Sequence, residues 1–424
     1  MALFPRMRVR RRRSVTDAYV AGGKAAREQF ALWRSQPQFV YLDSAASCQV
    51  PETVLQAYLD YYQHGHANAH RGSYPLAQQA TAQLEQARQE LANWIGAQAN
   101  EVAFTAGATH SLNMLAQGLQ LDWQAGDEIV LSRAEHHSNF LPWLRLAEKH
   151  GLTIRWLDLD PCTGNLAADW QDVVTERCKL VAVTLASNVT GQVLPVAEIA
   201  KRARAQGALT IVDAAQAVGS LTLDVVALGC DALTFSAHKM YGVTGCGVLY
   251  LTTQLQAQLE PWLVGGGMVT EVTEASSQWV SGVQQFEAGT PNTAAIIACA
   301  AAARWLNEQR EAGLSCYLQR LTHNLREQLS QRQWLQLVPP QSDSTSLPLI
   351  SFFSSEVHAF DLASYLAEHS IAVRAGSHCA QPLLQFWQHT AVVRVSLAAY
   401  NTAADCERLC AVLDEAYQLF TEAE

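Results

Sequence analysis

The sequence predicts an α/β fold: a mostly parallel, doubly wound sheet of seven strands, followed by a smaller α+β domain at the C-terminal end. Three observations carry this. Seven short apolar runs, Val102–Thr105, Glu128–Ser132, Thr153–Leu157, Lys179–Thr184, Leu209–Asp213, Ala232–Ser236 and Gly247–Leu251, are continuous rather than alternating, as strands buried on both faces are. Most intervals between them, such as Pro195–Gln206, are long enough for a helix, and strand–helix alternation specifies a doubly wound sheet. The 424 residues are 49% hydrophobic and 16% charged, which supplies a large core and excludes a disordered chain.

The elements follow in order. Residues 1–13 hold six arginines (Arg6, Arg8, Arg10, Arg11, Arg12, Arg13) and no acid. Such a run serves targeting or nucleic-acid tails, and a twin-arginine signal needs an apolar stretch that residues 16–23 do not offer. The run reads instead as a disordered leader or as translation begun upstream of the true start, within an N-terminal segment 1–37. A large domain is expected over 38–300. Leu84, Ala87, Leu91 and Ile95 fall at helical spacing and Gly96 closes that helix, as glycine does just past a helix end. A small domain is expected over 301–424. Residues 300–332 are helical and amphipathic, three short apolar runs follow at Leu347–Phe353, Ile371–Arg374 and Val392–Leu397, and a last helix spans Ala403–Phe420.

Composition narrows the function. The net charge of −10 argues against a nucleic-acid binder, and no run of about 18 apolar residues marks a membrane span. The ten cysteines form no Cys-Xaa-Xaa-Cys pair, and Cys406 and Cys410 have no further ligand near them in sequence. No metal site is expected, and a reducing, cytoplasmic compartment fits.

The chemistry is expected where strands end. Asp213 closes one apolar run and Lys239 follows another that ends at Ser236. Ligands of open α/β sheets sit at the carboxyl ends of strands, so both residues belong at one rim. That pair suits pyridoxal phosphate (PLP), which needs a lysine amine for its aldehyde and a carboxylate beside its pyridine nitrogen. Ser236 and His238 are placed to reach a phosphate. The step Thr105-Ala106-Gly107-Ala108-Thr109-His110 turns from strand into helix, where backbone N–H groups make an anion site. Singly, each is ordinary: an Asp after a strand is usually a cap and a Lys there is usually solvated. Their joint order is specific.

Longer stretches extend the pattern. They are Tyr41-Leu42-Asp43-Ser44-Ala45-Ala46, Ala67-Asn68-Ala69-His70-Arg71-Gly72, Glu135-His136-His137-Ser138-Asn139, Ser187-Asn188-Val189-Thr190-Gly191, Val212-Asp213-Ala214-Ala215-Gln216 and Phe235-Ser236-Ala237-His238-Lys239. Phe286-Glu287-Ala288-Gly289-Thr290-Pro291 and Arg374-Ala375-Gly376-Ser377-His378-Cys379-Ala380-Gln381-Pro382 complete them. From about Tyr41 onward the chain resembles fold-type-I PLP enzymes, and among them the group II cysteine desulfurases, which include cysteine sulfinate desulfinase and selenocysteine lyase activities.

The resemblance implies roles. Lys239 would bond the cofactor and shuttle the α-proton. Asp213 would pair with the pyridinium and His136 stack on its ring. Asn188 and Gln216 would hydrogen-bond its phenolic oxygen. Ala108, Thr109, Ser236 and His238 would hold its phosphate, with Thr290 reaching across from the partner subunit of a homodimer. Arg394 would clamp the substrate carboxylate, with Arg374, His70 and Asn188 in the same pocket. Cys379 would accept sulfur from L-cysteine as a persulfide, leaving L-alanine, and pass it to an acceptor, expected to be a SufE-like protein. A free thiol titrates near ~8.5, so activation by His378, Arg374 or the approaching substrate is implied. The chain departs from the family at Ala106-Gly107-Ala108-Thr109-His110, where Arg-Gly-Thr-Thr-Glu is usual, and at Val243, Cys246, Ala214 and Ala237. None of these removes a group the chemistry needs. The rivals are a selenocysteine lyase or another PLP β-lyase or aminotransferase on the same scaffold, and a catalytically inactive PLP-fold scaffold.

Overall fold

The computed structural model describes residues 23–339 and 346–422; the Arg-rich run lies outside them. Seven strands form the central sheet: β1 (Val102–Thr105), β2 (Glu128–Ser132), β3 (Thr153–Leu157), β4 (Cys178–Thr184), β5 (Leu209–Asp213), β6 (Ala232–Ser236) and β7 (Gly247–Leu251). Their order is β1-β7-β6-β5-β4-β2-β3. Only β7 runs against its neighbours, pairing antiparallel with both β1 and β6. The other pairs are parallel.

Alternate residues of each strand enter different cores. Ile129, Leu131, Leu180, Ala182 and Ile211 pack in one apolar cluster, whereas Val130, Val181, Val183 and Val212 pack in another. Side chains of a strand point alternately to opposite faces, and both faces meet a core here, so the strand interiors are apolar and polar residues such as Glu128, Ser132, Thr184, Asp213 and Ser236 fall at or near strand ends. That is why the runs read as continuous.

The same topology brings the carboxyl ends of β2, β4, β5 and β6, with their following loops, to one rim. The turn after β1 joins them there. Gly247, which opens β7, packs so closely on this turn that a Cβ on it would lie 2.5 Å from the Gly107 Cα.

The C-terminal part is built on an antiparallel sheet of β8 (Gln336–Leu337), β9 (Leu349–Phe353), β10 (Arg374–Gly376) and β11 (Val392–Ser396), in the order β8-β9-β11-β10. Helix Ala359–Glu368 packs on β10 and β11, and helix Ala403–Thr421 packs against that helix. The last helix opens with a reciprocal cap between Thr402 and Asp405, which satisfies two otherwise unpaired amides.

Two expected boundaries shift. The helix Thr293–Glu311 spans position 300 and packs against the helices Glu52–Asp60 and Pro75–Trp94 of the large domain, so the expected break between 300 and 301 falls inside one element. Its alanine-rich faces are almost all buried. Residues 23–37 are also integrated into the fold. They form helices Lys24–Arg27 and Leu32–Ser35, and Phe30 lies edge-on to Trp305 and Tyr400, with ring centroids 5.7 and 4.9 Å away. Beyond them, Val40–Tyr41 pairs with Ile371–Ala372 and Asp43 bridges to Ser396. The N-terminal segment is therefore stitched into the small domain. No helix among the described residues is long and apolar enough to cross a membrane.

Candidate active site

Between the sheet rim and the small domain lies a cavity of about 240 Å³. The large domain contributes Asp213 from the end of β5, Ser236 from the end of β6, and His238 and Lys239 from the turn that follows. His136, Asn188, Gln216, Ala108 and Thr109 also line it, and the small domain adds Arg374, Cys379 and Arg394.

The floor is built for an electrophilic aromatic ligand. No hydrogen bond or ion pair holds the Lys239 amine among the described residues. Burial first of all, and next the opposing attraction of Asp213, set its pKa, which falls to about 8. A buried ammonium is penalised, so the amine is partly neutral near neutral pH. Asp213 takes one backbone bond, from Ala215 N at 2.8 Å to Oδ1, and burial raises its pKa. A cationic nitrogen beside Asp213 would offset that burial. His136 Nδ1 accepts from Ser138 N at 3.1 Å. Its pKa is pushed down to about 4, mainly by burial and then by Lys239, so its ring is neutral and able to stack face-on. His238 is held near 4 by the same two causes.

The opposite end suits a phosphate. Helix Ala108–Gly118 points its N-terminus into the cavity without a side-chain cap. Ala108 N donates to Ser236 Oγ at 2.8 Å, and the Thr109 and Ser138 hydroxyls meet at 2.7 Å. Hydroxyls and helix amides together form an anion site. Asn188 completes the fit: its Oδ1 is buried without a partner while its Nδ2 donates to the His378 carbonyl at 2.7 Å. A lysine free to bond an aldehyde, a carboxylate for a ring nitrogen and a phosphate cradle lie in one cavity, and these residues fit PLP.

Two arginines form the far wall. Arg394 is 2% exposed. Its Nη1 donates to the Asn188 carbonyl at 2.9 Å and its Nη2 to Asp43 Oδ1 at 3.1 Å, while its Nε is buried with no partner. The edge carrying Nε–H and Nη2–H can thus take a carboxylate with two parallel donors. Arg374 pairs with the other oxygen of Asp43 at 3.1 Å.

Cys379 lies on a tight loop. His378 and Cys379 both have left-handed backbone, φ 53° and 56°, a strained state for residues with a Cβ. The loop is pinned from the large domain: His137 N donates to the Cys379 carbonyl at 2.8 Å, and Asn188 holds the His378 carbonyl. The thiol-bearing residue is exposed, whereas Cys48, beside Lys239, is buried and has its pKa pushed up to about 12 by burial. His378 supplies no positive charge to Cys379. Its Nε2 meets the Val392 carbonyl at 3.1 Å, and burial, with Arg394 next, drives its pKa down to about 3.

His70 and Thr290 are elsewhere in the chain. Both line a second hollow of about 660 Å³, with Asn68, Arg71, Gly266 and Gly267. Within a single chain His70 thus lies in a different hollow from Arg394 and Arg374. The loop 66–74 between helices is held there by His70 N donating to Thr81 Oγ1 at 2.8 Å and by His70 Nε2 lying 3.4 Å from Glu85.

Two residues escape sequence reasoning. Asp43 joins the arginines, and Glu135 ties the strand ends together. Glu135 is buried and accepts from the Ser132 hydroxyl, from Thr184 N at 2.8 Å and from Asn139 Nδ2 at 2.6 Å. Burial pushes its pKa up to about 8 against these three donors. Its neighbour His136 inherits the position so fixed.

The chain matches the aminotransferase class-V family model over residues 40–409, and it belongs to that family. It is 39% identical over 382 residues to a cysteine desulfurase of Serratia proteamaculans, covering 89% of this chain and 93% of that one. The probable cysteine desulfurase of Vibrio cholerae is 39% identical over 90% of this chain and 94% of that one. Among solved structures, the apo cysteine desulfurase of Thermococcus onnurineus superposes with a TM-score of 0.90 at 34% identity, covering 95% of this chain and 98% of that one. The S-sulfonic acid form of the Escherichia coli cysteine desulfurase CsdA gives 0.85 at 36% identity, covering 93% and 98%.

Proposed function

We propose that this chain is a PLP-dependent cysteine desulfurase that converts L-cysteine to L-alanine and carries the sulfur away on Cys379. One observation supports this above the others: an exposed thiol on a strained loop lines the same cavity as a buried, partly neutral lysine and a buried carboxylate.

Lys239, Asp213, Ser236, His238 and the amides at Ala108 and Thr109 would hold PLP, which when bound would supply an electron sink for the substrate's α-carbon. The chain's own groups do the rest. Arg394 binds the substrate carboxylate along its Nε edge. Lys239, partly neutral through burial, takes the α-proton and returns it. His136 is neutral, keeps the ring plane and relays protons. The Cys379 thiolate attacks the substrate sulfur. The new sulfur–sulfur bond forms as the Cβ–S bond breaks, its electron pair leaves with carbon, and a proton completes alanine. The enzyme holds a persulfide, which a reducing acceptor thiol discharges.

The same reading includes a homodimer in which Thr290, and with it His70, serves the partner's cavity, and a SufE-like acceptor protein in the cytoplasm feeding iron–sulfur cluster or other sulfur-cofactor assembly. Cysteine sulfinate and selenocysteine are further substrates, because their leaving groups depart without an enzyme thiol.

The test is turnover of L-cysteine with reductant, scored as alanine and sulfide, in holoenzyme and in Cys379→Ser. Loss on cysteine with activity kept on selenocysteine or sulfinate is the expected result. Undiminished cysteine turnover in Cys379→Ser overturns the persulfide step. A Lys239→Ala protein that keeps the cofactor absorbance band overturns the cofactor assignment.

A further inference from the structure

We propose that Asp43 is the charge gate of the cavity: by bridging Arg374 and Arg394 it admits amino acids with a neutral side chain and disfavours those with a second acidic group.

The geometry is specific. Arg374 and Arg394 are direct partners in the register of β10 and β11, and like charges directly opposite on neighbouring strands repel. Asp43 comes from a different part of the chain, next to the strand Val40–Tyr41, and offers one oxygen to each: Oδ1 to Arg394 at 3.1 Å and Oδ2 to Arg374 at 3.1 Å. It is the one carboxylate paired with either guanidinium among the described residues. Two cations and one anion leave a single positive charge, matched by one substrate carboxylate. The Arg394 Nε edge is free to take it. Arg374, half exposed at the cavity mouth, is already committed to Asp43. A sulfinate or carboxylate on the substrate side chain therefore meets a neutralised pair.

Removing the charge of Asp43 releases Arg374 for a second anion. Removing Arg374 leaves Asp43 on Arg394 alone and takes away the cation a second anion needs. The two substitutions move selectivity in opposite directions, which a general loss of structure does not do.

This inference rests on the desulfurase reading for its biological substrate but not for its test. Holoenzyme, Asp43→Asn and Arg374→Gln are titrated with L-alanine and L-aspartate, two amino acids without sulfur, and binding is read from the cofactor's absorbance. In Asp43→Asn the Kd for L-aspartate relative to L-alanine falls about 10-fold, and in Arg374→Gln it rises about 5-fold, as expected for one partly screened charge at close range. Turnover follows, with kcat/KM for cysteine sulfinate over cysteine rising in Asp43→Asn. Equal ratios in wild type and Asp43→Asn overturn the gate, as does an Arg374→Gln ratio that stays put or moves with Asp43→Asn. If Asp43→Asn fails to fold, Arg374→Gln decides alone. A wild-type holoenzyme that binds both amino acids but does not turn over cysteine sinks the desulfurase reading and leaves the gate standing.

Discussion

Capture of the cofactor must follow the protonation of Lys239. An ammonium cannot attack an aldehyde, so the rate depends on the neutral fraction of the amine. An ordinary lysine with pKa near 10.5 is about 0.03% neutral at pH 7, whereas one near 8 is about 10% neutral, a gain of roughly 300-fold. Burial supplies the shift, Asp213 opposes it and Arg394 assists it. The assay is stopped-flow absorbance of PLP binding to cofactor-free protein between pH 6.5 and 9.5, with an acetylated lysine as reference for the cofactor's own ionisation. The normalised rate rises tenfold per pH unit below about 8 and levels off above it. Asp213→Asn moves the midpoint down and Arg394→Gln moves it up. A rate still climbing with unit slope past pH 9.5 would refute the argument, because it would mean the amine titrates like one in water. The sign also fixes a stability trend. The folded amine binds fewer protons than the unfolded one between about pH 8 and 10.5, so its contribution to the stability of the cofactor-free protein rises with pH across that window.

Other outcomes follow from contacts described above or from nearby packing. Arg394→Gln raises KM for L-cysteine about 100-fold in steady-state assays, the loss of a charge-assisted pair of hydrogen bonds, and Arg394→Lys does not restore it because an ammonium cannot present two parallel donors; a near-normal KM counts against the clamp. Arg88 is 1% exposed and meets both oxygens of Glu287 at 2.6 and 2.9 Å, so Arg88→Met, which strands a largely but not fully buried carboxylate, costs about 3 kcal/mol in denaturant unfolding. Phe30→Ala empties the aromatic cluster around Tyr400 and costs about 3–5 kcal/mol in the same experiment; under 1 kcal/mol would show that the segment 23–37 is peripheral. Mixed dimers of Lys239→Ala and Thr290→Ala chains hold one fully wild-type site, so hybrids recover about half the wild-type activity if Thr290 acts across the interface. No recovery refutes that arrangement.

The strands were legible because their environment is uniform. β2, β4 and β6 sit between two cores, their middle residues are almost all apolar, and the apolar runs therefore match the strands to within a residue or so. The order of strands was not legible. The β1–β7 pairing joins segments about 145 residues apart in sequence, and the reversal of β7 leaves no mark on its composition, because a buried strand is apolar in either direction. Position 300 falls inside a helix for a related reason. Thr293–Glu311 is one continuous helix whose alanines are buried on nearly every face, so nothing in its composition shows where one domain ends. Val40–Tyr41 is two residues long, too short to leave any periodic signal.

The site divides along the same line. Residues fixed by a strand end, such as Asp213, Ser236 and Lys239, were visible in sequence because position along one element already implies the rim. Residues that matter through meeting another element were not. Asp43 lies 331 residues from Arg374 and 351 from Arg394. As a lone acid after an apolar pair it looks like any loop aspartate, and it becomes informative only when β10 and β11 set two arginines opposite one another. Proximity in the cavity likewise removed a candidate: His378, beside the thiol in sequence, is neutral because burial, and after it Arg394, disfavours its charged form. What activates Cys379 must then come from Arg374, from Arg394, whose charge acts on Cys379, or from the substrate itself. Those sources separate, since alkylation of Cys379 in the absence of substrate slows in Arg374→Gln or in Arg394→Gln only if that guanidinium is the cause.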